Sequence, residues 1–222
     1  MWGACVAFVW ARGGWVLQMA SLSSTLFEER LSTKLDSLHQ RSLEEATASW
    51  SAENDGFFAD KYVALDADKA KFMYLLARSK NIQHIVEAGT SFGVSTIWLA
   101  AAVRDNVQDY GVSQGVAQPF VIGTEKEAHK VEQAKKNIQD AFGDTLAEKV
   151  RIDIRLGDLK ETLARDLPLN TVELLLLDIW TPLALPALKL VLPSLKRVCL
   201  HNSPVLHIVP TLSLASGRSD FG

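Results

Sequence analysis

Between residues 82 and 195, short apolar runs alternate with segments whose apolar residues recur every three or four positions. Residues 82–88 (IQHIVEA), 120–124 (FVIGT), 150–156 (VRIDIRL) and 172–177 (VELLLL) have the length and the Ile, Val and Leu content of strands. The last is continuous rather than alternating, as in a strand buried on both faces. The intervening segments 94–103, 127–142, 159–165 and 183–195 predict helices, the second with Val131, Ala134 and Ile138 on one stripe. Such alternation requires right-handed crossovers, so the expected fold is α/β, a parallel sheet flanked by helices. Residues 105–119, with Gly111 and Gly115, read as a longer exposed loop.

Upstream, Leu31, Leu35 and Leu38 place an amphipathic helix over 24–49. A second helix begins at Asp66 or Asp68, runs through Phe72, Leu75 and Leu76, and stops at Asn81. Asn54-Asp55-Gly56 supplies a turn between them. The ends differ in character. Residues 1–18 are apolar and Trp-rich, with one charge, Arg12, and a break at Gly13-Gly14. They are too short for a membrane span of about 20 apolar residues and lack the basic start of a signal peptide. They are expected to lie outside the fold. Residues 198–222 hold Pro204 and Pro210 and follow neither period; 204–209 suit one short strand with no following partner for a hairpin. The expected divisions are therefore 1–18, an extension; 19–60, a helical segment; 61–197, the α/β domain; and 198–222, an irregular tail.

Composition narrows the choices. Of 222 residues 48% are hydrophobic and 22% charged, a globular balance that excludes disordered and collagen-like chains. Lys and Arg number 23 against 26 acids, so no basic excess points to nucleic acid. Cys5 and Cys199 belong to no metal-binding or redox cluster, which suits a reducing compartment such as the cytoplasm.

In a parallel sheet the chemistry gathers beyond the carboxyl ends of the strands. Here those ends read Glu87-Ala-Gly89-Thr-Ser91-Phe-Gly93, Gly123-Thr-Glu125, Leu156-Gly-Asp158 and Asp178-Ile-Trp180. Gly89 and Gly93 bracket a tight turn whose backbone can approach a ligand. Ser95 and Thr96 open the next helix, where hydroxyls and free N–H groups can hold a polar group. Glu125 can accept from both hydroxyls of a ribose, although an acid there also suits a helix N-terminus. Asp158 can accept from an exocyclic amine, or cap the helix that follows. Glu87, two residues before Gly89, can orient the turn and face a cationic or amino-acid-bearing ligand. The turn G-T-S-F-G lacks the middle glycine of a dinucleotide fingerprint, and no GxxxxGK[ST] loop is present. His84 and His129 read as surface residues, while Trp50, Phe57 and Phe58 either anchor the first helices or cap a pocket.

The string VEAGTSFGVSTIWLA, followed by GTE, LGD and LLLLDIWTPLALPALKL, resembles the class I, Rossmann-like S-adenosylmethionine-dependent methyltransferases. Within these it is most similar to the small-molecule O-methyltransferases related to catechol O-methyltransferase, over about residues 60–197. The resemblance implies S-adenosylmethionine as cofactor and a small hydroxylated, usually aromatic, molecule as methyl acceptor. It places Gly89, Ser91, Gly93 and Ser95 around the methionine portion, Glu125 at the ribose, Asp158 near the adenine and Trp180 against its ring. Lys61-Tyr62 falls near the cofactor by the same analogy. Asp178 matches the catalytic first ligand of a Mg²⁺ site, and a homodimer is compatible with the family.

Three features depart from that pattern. The lysine that follows the Trp as general base is Thr181 here. The Asp-Asn pair completing a metal site is represented only by Asn202, preceded by His201. The fifth strand and closing hairpin are expected to be missing. An S-adenosylmethionine-binding protein without turnover is therefore the rival expectation, and an NAD(P)-dependent oxidoreductase a more distant one.

Overall fold

In the computed structural model, the described residues are 27–46, 62, 64–112, 118–196 and 208–210. They form α1 (Glu29–Ala46), α2 (Ala67–Ser79), β1 (His84–Ala88), α3 (Val94–Tyr110), β2 (Phe120–Glu125), α4 (Ala128–Phe142), β3 (Arg151–Leu156), α5 (Leu159–Thr162), β4 (Leu174–Leu177), α6 (Thr181–Val191) and β5 (Ile208–Pro210). The strands make one parallel sheet in the order β3-β2-β1-β4-β5. The chain steps outward from β1 to β3 and then returns to the other side of β1. That reversal lies between β1 and β4, the place where an open α/β sheet leaves a crevice.

Period-two alternation sends successive strand residues to opposite layers. Ile85, Val121, Ile154, Leu174 and Leu176 pack with α1 to α4. Val86, Phe120, Ile122, Leu175 and Leu177 pack with Leu163 after α5 and with Ala187 and Val191 of α6. The continuous apolar run of β4 is thus explained by burial on both faces, as expected. In α1, Leu31, Leu35 and Leu38 are buried as their spacing predicts. Arg30 also donates to the carbonyls of Asp140 at 2.7 Å and Gln139 at 3.1 Å, closing the C-terminal end of α4.

Several boundaries differ from the sequence expectation. Helix α3 continues to Tyr110, so the first six of the fifteen residues of the expected loop 105–119 are helical. The reason is polar anchoring, which hydrophobic periodicity does not register. Buried Asn106 donates to the carbonyls of Ala77 at 3.0 Å and Ile82 at 2.7 Å, and Asp105 accepts the Tyr74 hydroxyl at 2.9 Å. In α2 the buried face is Ala70, Met73, Tyr74 and Ala77, while Phe72 and Leu75 are half exposed, so the expected stripe is displaced by about one position. His84 is buried at the start of β1 rather than on the surface, because its Nδ1 meets Glu173 Oε2 at 3.3 Å. His129 is exposed as expected. Helix α5 is a single turn and α6 ends at Val191, before a 3₁₀ turn at Leu192–Ser194. A fifth strand, expected to be missing, is present as three residues: Ile208–Pro210 pairs with Leu175–Leu177 of β4. Residues 1–18, Trp50, Phe57, Phe58, Lys61, Cys5, Cys199 and Asn202 lie outside the described residues. No described helix is long and apolar enough to cross a membrane.

Candidate active site at the strand tips

The turn after β1 is built from the strands on both sides of it. The N–H groups of Gly89 and Thr90 donate to the Thr124 carbonyl of β2, at 3.2 and 2.9 Å. Asp178 N–H, just past β4, donates to the Ala88 carbonyl at 2.9 Å. Gly89 adopts φ +92°, and a Cβ on it would lie 2.1 Å from the Asp178 carbonyl oxygen. The glycine is required there because β4 comes so close, whereas sequence reasoning assigned that space to a ligand. Gly93, at the start of α3, sits behind the turn against Ala134 of α4.

Glu87 lies beneath this turn and is fully buried. Its Oε1 accepts the Ser95 hydroxyl and its Oε2 accepts Thr96 and, at 3.1 Å, Thr90. Three hydroxyls, from the turn and the first turn of α3, enclose it, so Glu87 orients the turn from beneath. The polar group that Ser95 and Thr96 hold is this carboxylate. Gly123 of β2 permits the arrangement, since a Cβ there would stand 2.1 Å from Thr90 Oγ1. Burial pushes the Glu87 carboxyl up to about 7; the Ser95 and Thr96 hydrogen bonds oppose that rise and the nearby Asp178 charge adds to it.

Glu125 ends β2 half buried, with Oε2 accepting the Ser91 N–H at 2.9 Å and Oε1 accepting the N–H groups of Lys126 and Glu127 at 2.7 and 2.9 Å. Ser91 itself has φ +49°, unusual for a residue with a side chain. Its Oγ is buried and lacks a hydrogen-bond partner, the single such side-chain atom among the described residues. An orphaned hydroxyl of this kind points to an absent polar partner.

Gly89, Thr90, Ser91, Phe92, Ser95 and Asp178, closed on one side by Tyr62 and Leu65, line a narrow pocket with about 10 Å³ open to water. Tyr62 stacks on Phe92 with ring centroids 3.8 Å apart, which locks the pocket wall to the turn. Of the expected site residues, Gly89, Ser91, Ser95 and Asp178 share this pocket. Glu125 lies one strand away. Asp158 is exposed beyond β3 and accepts the Lys160 N–H at 2.7 Å, so its capping role is realised. Trp180 is 69% exposed after β4. Thr90 and Phe92 were not singled out from the sequence, although both lie inside the glycine turn that marked the site.

The donor set suits an amino-acid nucleoside: hydroxyls and carboxylates stand along one end of adjacent strands, with exposed Trp180 and Leu156 as apolar faces. No group of three His, Cys, Asp or Glu side chains converges among the described residues, which leave out Asn202.

Comparison with known proteins agrees with this architecture. Residues 86–201, more than half of the chain, match a family described as a methyltransferase domain. No curated protein matches by sequence. Among solved structures, an O-methyltransferase from Bacillus cereus in complex with SAH is similar at TM-score 0.50 and 23% identity, over 79% of this chain and 66% of that one. An SAH-bound methyltransferase from Podospora anserina gives TM-score 0.53 at 14% identity, over 85% and 70%. A methyltransferase from Geobacter sulfurreducens gives 0.51 at 17%, over 81% and 76%. This chain spans 65% of the length of a further neighbour, from Klebsiella pneumoniae. Identities this low bear on the fold alone. The family match and the sheet with its strand-tip turn lead to one conclusion: the chain belongs to the methyltransferase-domain family.

Proposed function

We propose that this protein binds S-adenosylmethionine and transfers its methyl group to a hydroxyl oxygen of a small, aromatic acceptor. The observation that carries the reading is the order of the strand tips. Leu156-Gly157-Asp158, Glu125, Gly89-to-Ser95 and Asp178 lie side by side on β3, β2, β1 and β4. At about 4.8 Å between strands, four tips span roughly 14 Å, the length of an extended adenosyl amino acid. The base end then falls at β3, with Asp158 accepting its exocyclic amine. The ribose falls at Glu125, and the amino-acid end in the pocket of Gly89, Ser91, Ser95 and Asp178. Gly93 and Glu87 hold that pocket from behind. Ser91 Oγ, without a protein partner, would gain one from the ligand.

Bound there, the cofactor would supply an electrophilic methyl on a sulfonium to the acceptor oxygen, leaving as the thioether S-adenosylhomocysteine, with the hydroxyl proton passing to Asp178 or water. This chain's part is in-line positioning in a space closed by Tyr62 and Phe92. Asp178, the acid at the acceptor end, can orient the hydroxyl by accepting its proton in a hydrogen bond.

A second reading, cofactor binding without turnover, is favoured by Thr181 in place of the family's basic lysine. Calorimetric titration with S-adenosylhomocysteine, run beside a labelled-methyl transfer assay on catechol-type acceptors, separates the two. Binding with transfer supports the first reading and binding alone the second. Absence of binding overturns both.

A further inference from the structure

Arg155 is a buried cation in the sheet. It is the penultimate residue of β3, on the face opposite Ile154, paired in register with Thr124. Its Nη1 donates to the Thr162 carbonyl at 2.7 Å and also to the Arg165 carbonyl; its Nε donates to Asp153 Oδ2 at 3.0 Å. The two carbonyls lie at and just beyond the end of α5, where a helix leaves its C=O groups without internal partners. With four residues, α5 cannot hold itself together by its own hydrogen bonds. The guanidinium supplies what the helix lacks and ties the turn 157–165 back onto β3.

Asp158 stands at the start of that turn. Its carbonyl accepts the N–H groups of Glu161 and Thr162, at 3.0 and 2.9 Å, and the Thr162 hydroxyl at 3.0 Å. Gly157 N–H donates to the Glu125 carbonyl at 2.9 Å, which fixes the near side of the turn to β2. Arg155 therefore fixes the far side. Thr162 is the shared member: its carbonyl accepts from Arg155 while its N–H and hydroxyl hold Asp158.

We propose that Arg155 is a positioning residue for the base end of the cofactor site, acting through Thr162 to set the direction of the Asp158 carboxylate. The inference rests on the proposed function, which gives Asp158 the exocyclic amine of adenine. Without Arg155, two carbonyls lose their donor and the turn that carries Asp158 is released. The base is then bound without being read.

The test compares S-adenosylhomocysteine with S-inosylhomocysteine, which carries a carbonyl in place of the amine, by calorimetry on the full chain. The unaltered protein should prefer the adenosyl ligand at least tenfold. Arg155→Met should bring that ratio close to one, and Arg155→Lys, which keeps the charge but not the planar fork, should give an intermediate ratio. Asp158→Asn should abolish the preference by itself. A purely structural Arg155 would weaken both ligands equally and leave the ratio untouched, which would overturn the proposal. If Arg155→Met does not fold, the ratio for Arg155→Lys decides in the same way. Failure of the unaltered protein to bind either ligand would instead remove the proposed function, and this inference with it. Binding of the adenosyl ligand with an unchanged ratio in the variants sinks only the role of Arg155.

Discussion

Glu125 Oε2 accepts the backbone N–H of Ser91 at 2.9 Å, so the acid at the tip of β2 is bonded to the middle of the glycine turn after β1. One carboxylate thereby serves the turn, and Lys126 and Glu127 at the entrance to α4, before any ligand arrives. A carboxylate has about four acceptor positions, and three are taken. On the proposed reading, the ribose would use the remaining position or displace a backbone donor. Glu125→Gln should weaken S-adenosylhomocysteine binding by about 1.5–3 kcal/mol through loss of charge-assisted hydrogen bonds. Equal affinity of the variant in a calorimetric titration would remove Glu125 from the site.

Gly89 tests the turn itself. Alanine there meets both an unfavourable φ of +92° and the Asp178 carbonyl, which a Cβ would approach to 2.1 Å. Gly89→Ala should cost more than about 1 kcal/mol in urea unfolding and should also depress ligand binding, because Asp178 must move away. A variant with native stability and affinity would mean that β4 does not press on this turn.

Glu87 predicts a pH dependence of stability. Its carboxyl is raised from the ordinary carboxylate value to about 7, chiefly by burial. The folded protein therefore retains a proton that the unfolded chain releases, so the stability from this group is full at low pH and is lost as pH rises through 7. Denaturant titrations at pH 5 and pH 8 should show a decline that is absent in Glu87→Gln. The same decline in both proteins would place the effect elsewhere.

At the opposite end of the sheet the sign reverses. Burial alone would push Glu173 up, but hydrogen bonds from His84, from Lys196 at 2.8 Å and from the Gln83 N–H at 2.8 Å outweigh it and hold the carboxyl at about 2. Its contribution is present above the ordinary carboxylate range and is lost as pH falls toward 2. Glu173→Gln should therefore lose stability at pH 7 but converge on the unaltered protein near pH 2, as read by thermal melts across that interval. Parallel curves would count against the assignment.

Asn106 is a prediction that composition alone would not suggest. Its amide satisfies two buried carbonyls, of Ala77 and Ile82, from a different helix and the loop before β1. Asn106→Leu fits the apolar surroundings yet orphans both carbonyls, and should destabilise by about 2–4 kcal/mol in chemical unfolding. A neutral or stabilising result would show that water or a shift of α3 replaces those bonds.

What the chain's order of residues determined by itself is local and periodic. Ile85 against Val86, or Leu174 against Leu175, already declares a strand with two apolar faces, and four such strands separated by helices leave few topologies open. Gly89, Glu125, Asp158 and Asp178 were legible as candidates because a parallel sheet brings every strand end to one side. Tertiary structure alone decided what each of them faces. Glu87 and Asp178 are both acids at strand ends, yet one is enclosed by hydroxyls and the other lines the pocket, since only the packing of α3 under the turn separates them. Asn106 and Arg155 carry no periodic signal at all. A polar side chain finds its distant carbonyl through geometry that exists only after folding, and hydrophobic spacing, the signal that the linear chain broadcasts most strongly, says nothing of such partners.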